Sequence, residues 1–508
     1  MKFNFWKGLW KPKSLTPTLS HRLYRRMYTP QPPLNREMTV LDRSKFTVSL
    51  NLALAKFPDP KYIAQFAKEC KADILQLRSI NHVQKTDDNG RAVLLRHDLD
   101  LEGGEDVASK VMSQLSPRGK ELLTEAQADI TKIVKDLDYD FWRADEIFYS
   151  VLPVTEKDEI PSGFSMVGHV AHLNLRSEWK DYDRLIGQVI LDKNPRVKTV
   201  VNKVDSIDTK FRTFKMDVLA GEDNTEVEQH ESGCRFQFDF AKVYWNSRLH
   251  TEHDRLVSLF RGEASSRERK QQERAKRENH EKSTETAVEP DNTPATAVCD
   301  VFAGVGPFAV PSGRTSLFVM ANDLNPYSYE ALEHNVKLNK VSEYVKCFNL
   351  DGAEYVQQSM KLLDEHRRTQ PTINPVQVRK RKAGQPVVKQ DIPNHYSHYV
   401  MNLPDSAIEF LWSFKGLYTT VDGLSQDTPL PHVHVHCFHK WEAGEEEPSK
   451  EETKAALLER VYKQIDVRLD PNEVGMHWVR KVSPKKDMFC ISFELPKEVA
   501  WAPQVNKE

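Results

Sequence analysis

The hydrophobic pattern changes character several times along the chain. Val298 to Phe302 is a short, mostly apolar run rich in β-branched and aromatic residues, as in a strand buried on both faces. Leu317 to Met320, Val345 to Leu350 and His398 to Met401 repeat that pattern, and Tyr329, Leu332 and Val336 mark one helix face between them. Such αβ alternation predicts an open sheet whose strand ends point Gly304, Asp323, Asp351 and Asn402 into one crevice. Further upstream, 45–135 reads as a smaller α/β unit. There Phe46 to Leu52 alternates as a strand, 60–69 is helical by spacing, and Leu122 to Leu137 carries a second helical pattern. Between 140 and 250 the pattern predicts strands at 188–191, 197–204, 214–219 and 235–240, then a helix. If that helix includes Tyr244, Arg248 and Glu252, their spacing of four puts them on one face, as an acid–base cluster or an ordinary surface salt bridge.

The strand at 298–302 runs into Ala303-Gly304-Val305-Gly306-Pro307-Phe308, and Asp323 follows about 20 residues later in Asn322-Asp323-Leu324-Asn325-Pro326. A glycine turn after one strand and a carboxylate at the tip of the next suit a nucleoside: the turn approaches the anionic end, and the acid accepts ribose hydroxyls. The third glycine of a dinucleotide fingerprint falls on Ala309, and Pro307 occupies the first helical turn. S-adenosylmethionine, which lacks a pyrophosphate, demands less of the turn. A dinucleotide and a purely structural glycine turn stay open on these residues alone.

Composition narrows the picture. A length of 508 residues suggests two to four domains, and 39% hydrophobic residues suffice for packed cores. The net charge of −2 means that any nucleic-acid surface is local. Six scattered cysteines without a CxxC pair fit a reducing compartment and argue against a cysteine zinc site. No apolar run reaches the roughly 18 residues of a membrane span. Met1 to Arg36 holds eight Lys or Arg and no acid, which reads as a mitochondrial presequence or a disordered basic tail. Met38 offers a second start site, so mitochondrial, cytoplasmic and nuclear forms are expected together.

Other polar features have bland and functional readings. Residues 261–296 are charged and almost free of large apolar groups. Residues 366–390 hold seven Lys or Arg, three prolines and no acid, peaking at Arg379 to Lys382; they read as an RNA contact, a nuclear address or a solvated loop. The acidic run around 442–452 reads as a surface linker. Lys193, Arg196, Lys198, Lys203, Lys210 and Arg212, with Phe211 and Phe214, form a phosphate-contacting face or solvated strand edges. His169 and His172 lack a third ligand nearby, and His432, His434 and His436 share one strand face without a suitably spaced cysteine or acid, so no metal site is expected.

Asp-x-Phe-Ala-Gly-Val-Gly-Pro-Phe from Asp300, Asn-Asp-Leu-Asn-Pro from Asn322 and Asn-Leu-Pro from Asn402 resemble the archaeal/eukaryotic tRNA (guanine-37-N1)-methyltransferase family. Val-Tyr-Trp-Asn-Ser-Arg-Leu-x-Thr-Glu-His from Val243 and Val-Gly-His-x-Ala-His-Leu-Asn-Leu-Arg from Val167 extend the likeness upstream. It covers about 140–508, with 45–135 fitting that family's N-terminal domain. Ser247 departs from the pattern, where proline is expected.

The resemblance implies an α/β protein with a class I (Rossmann-like) methyltransferase domain and N-terminal α+β RNA-binding domains. Its implied segments are a basic targeting segment 1–40, a tRNA-docking domain 41–138, an RNA-binding domain 139–248 and a methyltransferase domain 249–508 with insertions at about 261–296 and 365–392. It implies S-adenosyl-L-methionine as cofactor, tRNA with guanosine 37 as partner, no membrane, a monomer, and a role in reading-frame maintenance. By the same correspondence Glu252 is the general base, Arg212 holds O6, and Asn402 with Pro404 grips an extruded guanine. The cofactor is expected among Tyr244, Arg248, Phe302, Gly304, Gly306, Asp323, Leu324, Asp351, Gly352 and Asn402. Asn402-Leu403-Pro404 differs from the Asn-Pro-Pro-Tyr type of exocyclic-amine methylases. A class I methyltransferase for another RNA position or a protein, and an RNA-binding protein with a vestigial cofactor site, are the other two readings.

Overall fold

The structure, a computed structural model, describes residues 30–87, 90–102, 106–154, 160–203, 215–262, 296–374, 389–442 and 444–504. The chain divides into two compact units, one made of 1–164, 175–195 and 219–221, the other of 165–174, 196–218 and 222–508.

The first unit is built on an antiparallel sheet of β1 (Val48–Lys56), β2 (Val83–Lys85), β3 (Arg91–Leu94) and β4 (Asp129–Leu137), in the order β2-β3-β1-β4. Helices α1 (Lys61–Glu69) and α2 (Pro117–Glu125) bury Ile63, Phe66, Leu122 and Leu123 in its core. The helical pattern expected over 122–137 stops at Glu125. Ile130, Ile133, Val134 and Leu137 do sit at helical spacing, but Gln127 takes φ +50 and the chain turns into β4. Nine register pairs with β1 outweigh the local pattern and leave Val134 62% exposed. The strand expected at 188–191 is likewise part of a helix, α3 (Asp183–Lys193), because Leu185, Ile186, Val189 and Ile190 lie on one face and are all buried.

The second unit begins with β5 (Ser165–Val167), antiparallel to β6 (Val170–Leu173), which runs parallel to β7 (Thr199–Lys203). A hairpin of β8 (Glu226–Glu231) and β9 (Cys234–Asp239) follows, then α4 (His250–Phe260). The expected strands over 197–204, 214–219 and 235–240 correspond to Thr199–Lys203, Met216–Gly221 and Cys234–Asp239.

The remainder alternates: β10 (Ala297–Asp300), α5 (Ala309–Gly313), β11 (Phe318–Asn322), α6 (Pro326–Leu338), β12 (Val345–Phe348), α7 (Gly352–Thr369) and β13 (His398–Met401). Then come β14 (His432–Lys440), α8 (Lys450–Ile465), β15 (Gly475–Ser483) and β16 (Lys486–Glu494). These seven strands form one sheet in the order β12-β11-β10-β13-β14-β16-β15. The first five are parallel, and β16 runs antiparallel between β14 and β15. A reversed seventh strand slotted before the sixth is the class I methyltransferase topology.

All four residues of β10 are buried, so a short apolar run is enough to specify it. The order of strands reverses beside β10, and the crevice at such a point is where open α/β sheets take ligands. The acidic run after Glu442 is more than a linker: Ser449 and Glu452 form a reciprocal cap that starts α8, whose first turn carries Glu451 and Glu452. Residues 263–295 and 375–388, including Arg379 to Lys382, lie outside the described residues.

Candidate active site

The crevice has two sides, starting with the glycine turn after β10. Gly304 (φ +54) and Gly306 (φ +100) take left-handed backbone that only glycine adopts cheaply. A Cβ on Gly306 would sit 2.8 Å from Leu332 Cδ1 and 2.9 Å from Val310 Cγ2, so the turn is also packed shut from behind. The Gly304 N–H donates to Asp323 Oδ2 at 2.8 Å, and the Asn325 N–H donates to Oδ1 at 2.9 Å. Burial pushes the Asp323 carboxyl up to about 6, with those two N–H groups pulling the other way. It is therefore mostly ionised at neutral pH and can accept hydroxyls.

Asp351 caps α7, accepting the Ala353 N–H at 2.9 Å and the Glu354 N–H at 3.4 Å. Gly352 lets the Phe302 ring lie against it, since a Cβ there would come within 2.6 Å of Phe302 Cε1. Phe302 in turn packs edge-on against Phe410 at 5.1 Å. Leu324 is 39% exposed at the mouth. Beneath the turn, Asp300 is fully buried, and neither oxygen has a partner of good hydrogen-bond geometry. Burial and the nearby Asp323 raise its pKa well above the carboxylate range.

The other side is assembled from side chains on α4, β13, β14, β15 and β16. Glu252, in the first turn of α4, is 3% exposed. Arg255 Nε donates to its Oε2 and Arg255 Nη2 to its Oε1, both at 2.7 Å. His436 Nε2 lies 2.8 Å from Oε1, and His477 Nε2 lies 3.6 Å from Oε2. Burial alone would raise the Glu252 pKa; Arg255 and His436 overcome it and hold the carboxyl far below its usual range. Burial works against a charged His436, yet the Cys490 sulfur and the Glu252 carboxylate raise its pKa to about 9.

Asn402 follows directly on the Met401–Val435 register pair, so it comes beside His436 on the next strand. Its Oδ1 is buried with no hydrogen-bond partner among the described residues. The Pro404 carbonyl accepts the Phe438 N–H at 2.8 Å, tying the Asn-Leu-Pro segment to β14. Glu252 thus bonds His436 directly, while the backbone of Asn402 adjoins that strand.

Tyr244 lies outside the helix, so the one-face arrangement does not form: it sits in the loop before α4, 45% exposed, with Asn246 Nδ2 donating to its hydroxyl at 3.4 Å. Arg248 lies in a short 3-10 turn, Ser247–Leu249, and does not pair with Glu252. The serine found in place of proline accepts the Trp245 indole N–H at 3.0 Å, while Asn246 Oδ1 accepts the Arg248 N–H, so side chains hold the turn that a ring would have held.

Arg212, Lys210, Phe211 and Phe214 lie outside the described residues. Lys193 donates to the Tyr139 carbonyl at 2.6 Å with its ammonium 3.9 Å from that ring, so it is spent within its own unit. His169 contacts the Asn224 carbonyl at 3.2 Å, and His172 packs on Phe240; burial, Lys203 and Arg248 lower its pKa to about 4.

Sequence reading missed Arg255, His436, Cys490 and His477. Glu252, His436 and Cys490 offer ligand atoms within 4.8 Å of one another, a grouping that their separation along the chain hides. The Arg255 guanidinium already covers both Glu252 oxygens, so the cluster is an ion-pair network.

The TYW2 N-terminal domain family matches residues 144–225 and the TRM5/TYW2 methyltransferase domain family matches residues 275–365. A tRNA (guanine(37)-N(1))-methyltransferase of Candida albicans is 43% identical over 484 residues, covering 92% of this chain and 98% of that protein. The one of Schizosaccharomyces pombe is 44% identical over 472 residues, with 92% and 96% covered. The one of Saccharomyces cerevisiae is 42% identical over 510 residues, with 92% and 95% covered. Among solved structures, Trm5b from Pyrococcus abyssi aligns at 19% identity and a TM-score of 0.47, over 87% of this chain and 98% of that one.

Proposed function

This chain belongs to the tRNA (guanine(37)-N(1))-methyltransferase family, and we propose that the two sides of its crevice divide the reaction between them. The glycine side holds S-adenosyl-L-methionine, and the Glu252 side holds guanosine 37 of tRNA. The donor set fits that cofactor: Asp323 presents a carboxylate to ribose hydroxyls, Asp351 flanks it, and the unpartnered Asp300 oxygens lie under the turn. Gly304, Gly306, Phe302, Leu324 and Gly352 shape the wall, with Tyr244 and Arg248 assigned by resemblance to its outer rim. When bound, the cofactor supplies an electrophilic methyl group; everything else is the work of this chain.

N1 of guanine carries a proton and is a nucleophile only once that proton leaves. Glu252 is its acceptor. Arg255 and His436 guarantee that the carboxylate is charged when the base arrives, at the cost of some basicity. As the proton moves to Glu252, negative charge builds on O6, which Arg212 is assigned by family correspondence to receive. N1 is inaccessible inside the anticodon stack, so the nucleotide is turned out, with Pro404 and Asn402 bracing it.

One observation supports this reading: the buried Glu252 carboxylate is paired with Arg255 and with His436, on the strand next to Asn402. The test is methyl transfer onto unmodified tRNA transcripts bearing guanosine or adenosine at position 37, with the product mapped by mass spectrometry. Methylation at N1 of guanosine 37 supports it, and equal transfer to the adenosine transcript ends it. The basic segment 1–40 is proposed to direct a mitochondrial form, with initiation at Met38 giving cytoplasmic and nuclear pools; a reporter fused to 1–40 that stays out of mitochondria would refute this.

A further inference from the structure

The edge strand β15 holds a residue that the reaction above does not use. Its pairing with β16 runs Gly475↔Ser492, His477↔Cys490 and Trp478↔Phe489, and then skips to Arg480↔Met488. Val479 is the extra residue of a β-bulge, a device that re-aims the side chains beyond it. Directly opposed residues of an antiparallel pair share a face. Arg480 therefore emerges on the face of Met488 and Cys490, where Glu252 and His436 meet. In an unbulged strand it would oppose Asp487 and join Trp478 on the reverse face. The bulge thus turns a guanidinium toward the crevice.

That guanidinium is unmatched. Arg480 is partly buried, its Nε donates to the Lys481 carbonyl at 3.2 Å, and it pairs with no carboxylate among the described residues. Arg248 is in the same condition, with Nη2 3.4 Å from Ser165 Oγ and no acidic partner among those residues. Burial and then Arg248 lower the Arg480 pKa, while Tyr244 acts in the opposite sense. A partly buried cation without an acid is unfavourable unless an anion completes the group.

Two anions are available to this enzyme, the carboxylate of its cofactor and the phosphodiesters of its RNA. Strand order separates them. The glycine turn follows β10, and β15 is four strands further along the sheet, roughly 19 Å at the usual spacing between neighbours. The cofactor belongs at the glycine turn, so the anion at Arg480 comes from the RNA.

We propose that Arg480 clamps a phosphodiester next to the nucleotide being methylated. This rests on the functional reading above and adds a binding residue to it. The clamp fixes the strand on the far side of Glu252, so that a base turned out of the stack enters along one direction.

The experiment uses the full chain, wild type and the R480Q and R480K variants, with a guanosine-37 transcript. In R480Q the Kd for tRNA rises about 10-fold, the Kd for S-adenosylmethionine is unchanged, and the slope of log Kd against log salt falls by about 0.7–0.9. R480K restores most of the salt slope and only part of the affinity, because ammonium lacks the guanidinium fork. A set of transcripts with single neutral methylphosphonates flanking position 37 locates the contact. One of them weakens wild type and leaves R480Q unaffected. Thermal melting of both variants reports on folding, and R480K carries the test if R480Q melts early.

Unchanged tRNA affinity and salt slope in an active, folded R480Q would overturn the clamp. So would a loss of cofactor affinity in place of tRNA affinity, which would give the anion to the cofactor. A wild-type protein that fails to methylate the guanosine-37 transcript overturns the reading of function itself, a separate result.

Discussion

The two sides of the crevice are built on different principles. On the glycine side, contacts are short-range and largely backbone: a turn, an acid at the next strand end, and a helix cap, with Gly304 and Asp323 only 19 residues apart. On the Glu252 side the decisive contact joins His436 to a residue 184 positions away, and a single bulged residue decides where Arg480 faces. The lesson is that cofactor chemistry can be written into contiguous motifs, whereas handling of the base depends on how distant segments happen to stack on one sheet face.

The sharpest way to separate the sides is to remove the base. Glu252→Ala is expected to bind both tRNA and cofactor while single-turnover methyl transfer falls by about 10²–10⁴-fold; wild-type turnover would take Glu252 out of the role. Next comes Asp323→Asn, expected to weaken cofactor binding by about 10–100-fold, read by calorimetry, with tRNA affinity unaltered. Because the Asp323 carboxyl titrates near 6, wild-type cofactor affinity should fall as the pH drops through that value, and the asparagine variant should be flat.

A smaller effect tests the support of the base. His436→Gln should slow methyl transfer by roughly 10-fold, as loss of an orienting partner does. It should also destabilise the fold by about 3 kcal/mol at neutral or acid pH, as when one member of a buried ion pair is deleted. The folded pKa of His436, about 9, lies above its ordinary value of 6.5, so the stability it contributes is full below about 6.5 and is lost as pH rises through 9. The gap between wild type and variant in denaturant titrations should therefore close between those values. A gap that widened with pH would mean that His436 is neutral. The smallest effect is expected at Asp351→Ala, where losing the cap of α7 costs about 1 kcal/mol and loosens only the cofactor side.

Much of the fold was legible because the central strands β10 and β11 are buried on both faces and announce themselves as apolar runs. Gly304, Asp323, Asp351 and Asn402 fell at strand ends as the pattern required. The misreadings share a cause: Ile130 to Leu137 has the spacing of a helix, and only pairing with a distant strand makes it β4, while the run at 188–191 was too short to betray its period. Whether Tyr244 joins the helix stays open in the sequence because spacing cannot tell where a helix begins; Asn246 and Ser247 hold a turn there first. The partners of Glu252 were out of reach for a deeper reason. A histidine on an alternating strand looks the same whether it faces a buried carboxylate or water, and only the register of β14 with β16 and the lie of α4 decide it.

With Glu252 as the proposed base, the proton it collects in each cycle has to be handed back to water before the next. In the cluster around Glu252 the carboxylate, Arg255 and His436 are walled in, with side chains 2%, 19% and 0% exposed, whereas His477 is 45% exposed and stands 3.6 Å away. An imidazole at such a threshold can pass a hydrogen ion between the interior and water. The shuttle would reset the enzyme without the crevice ever having to flood.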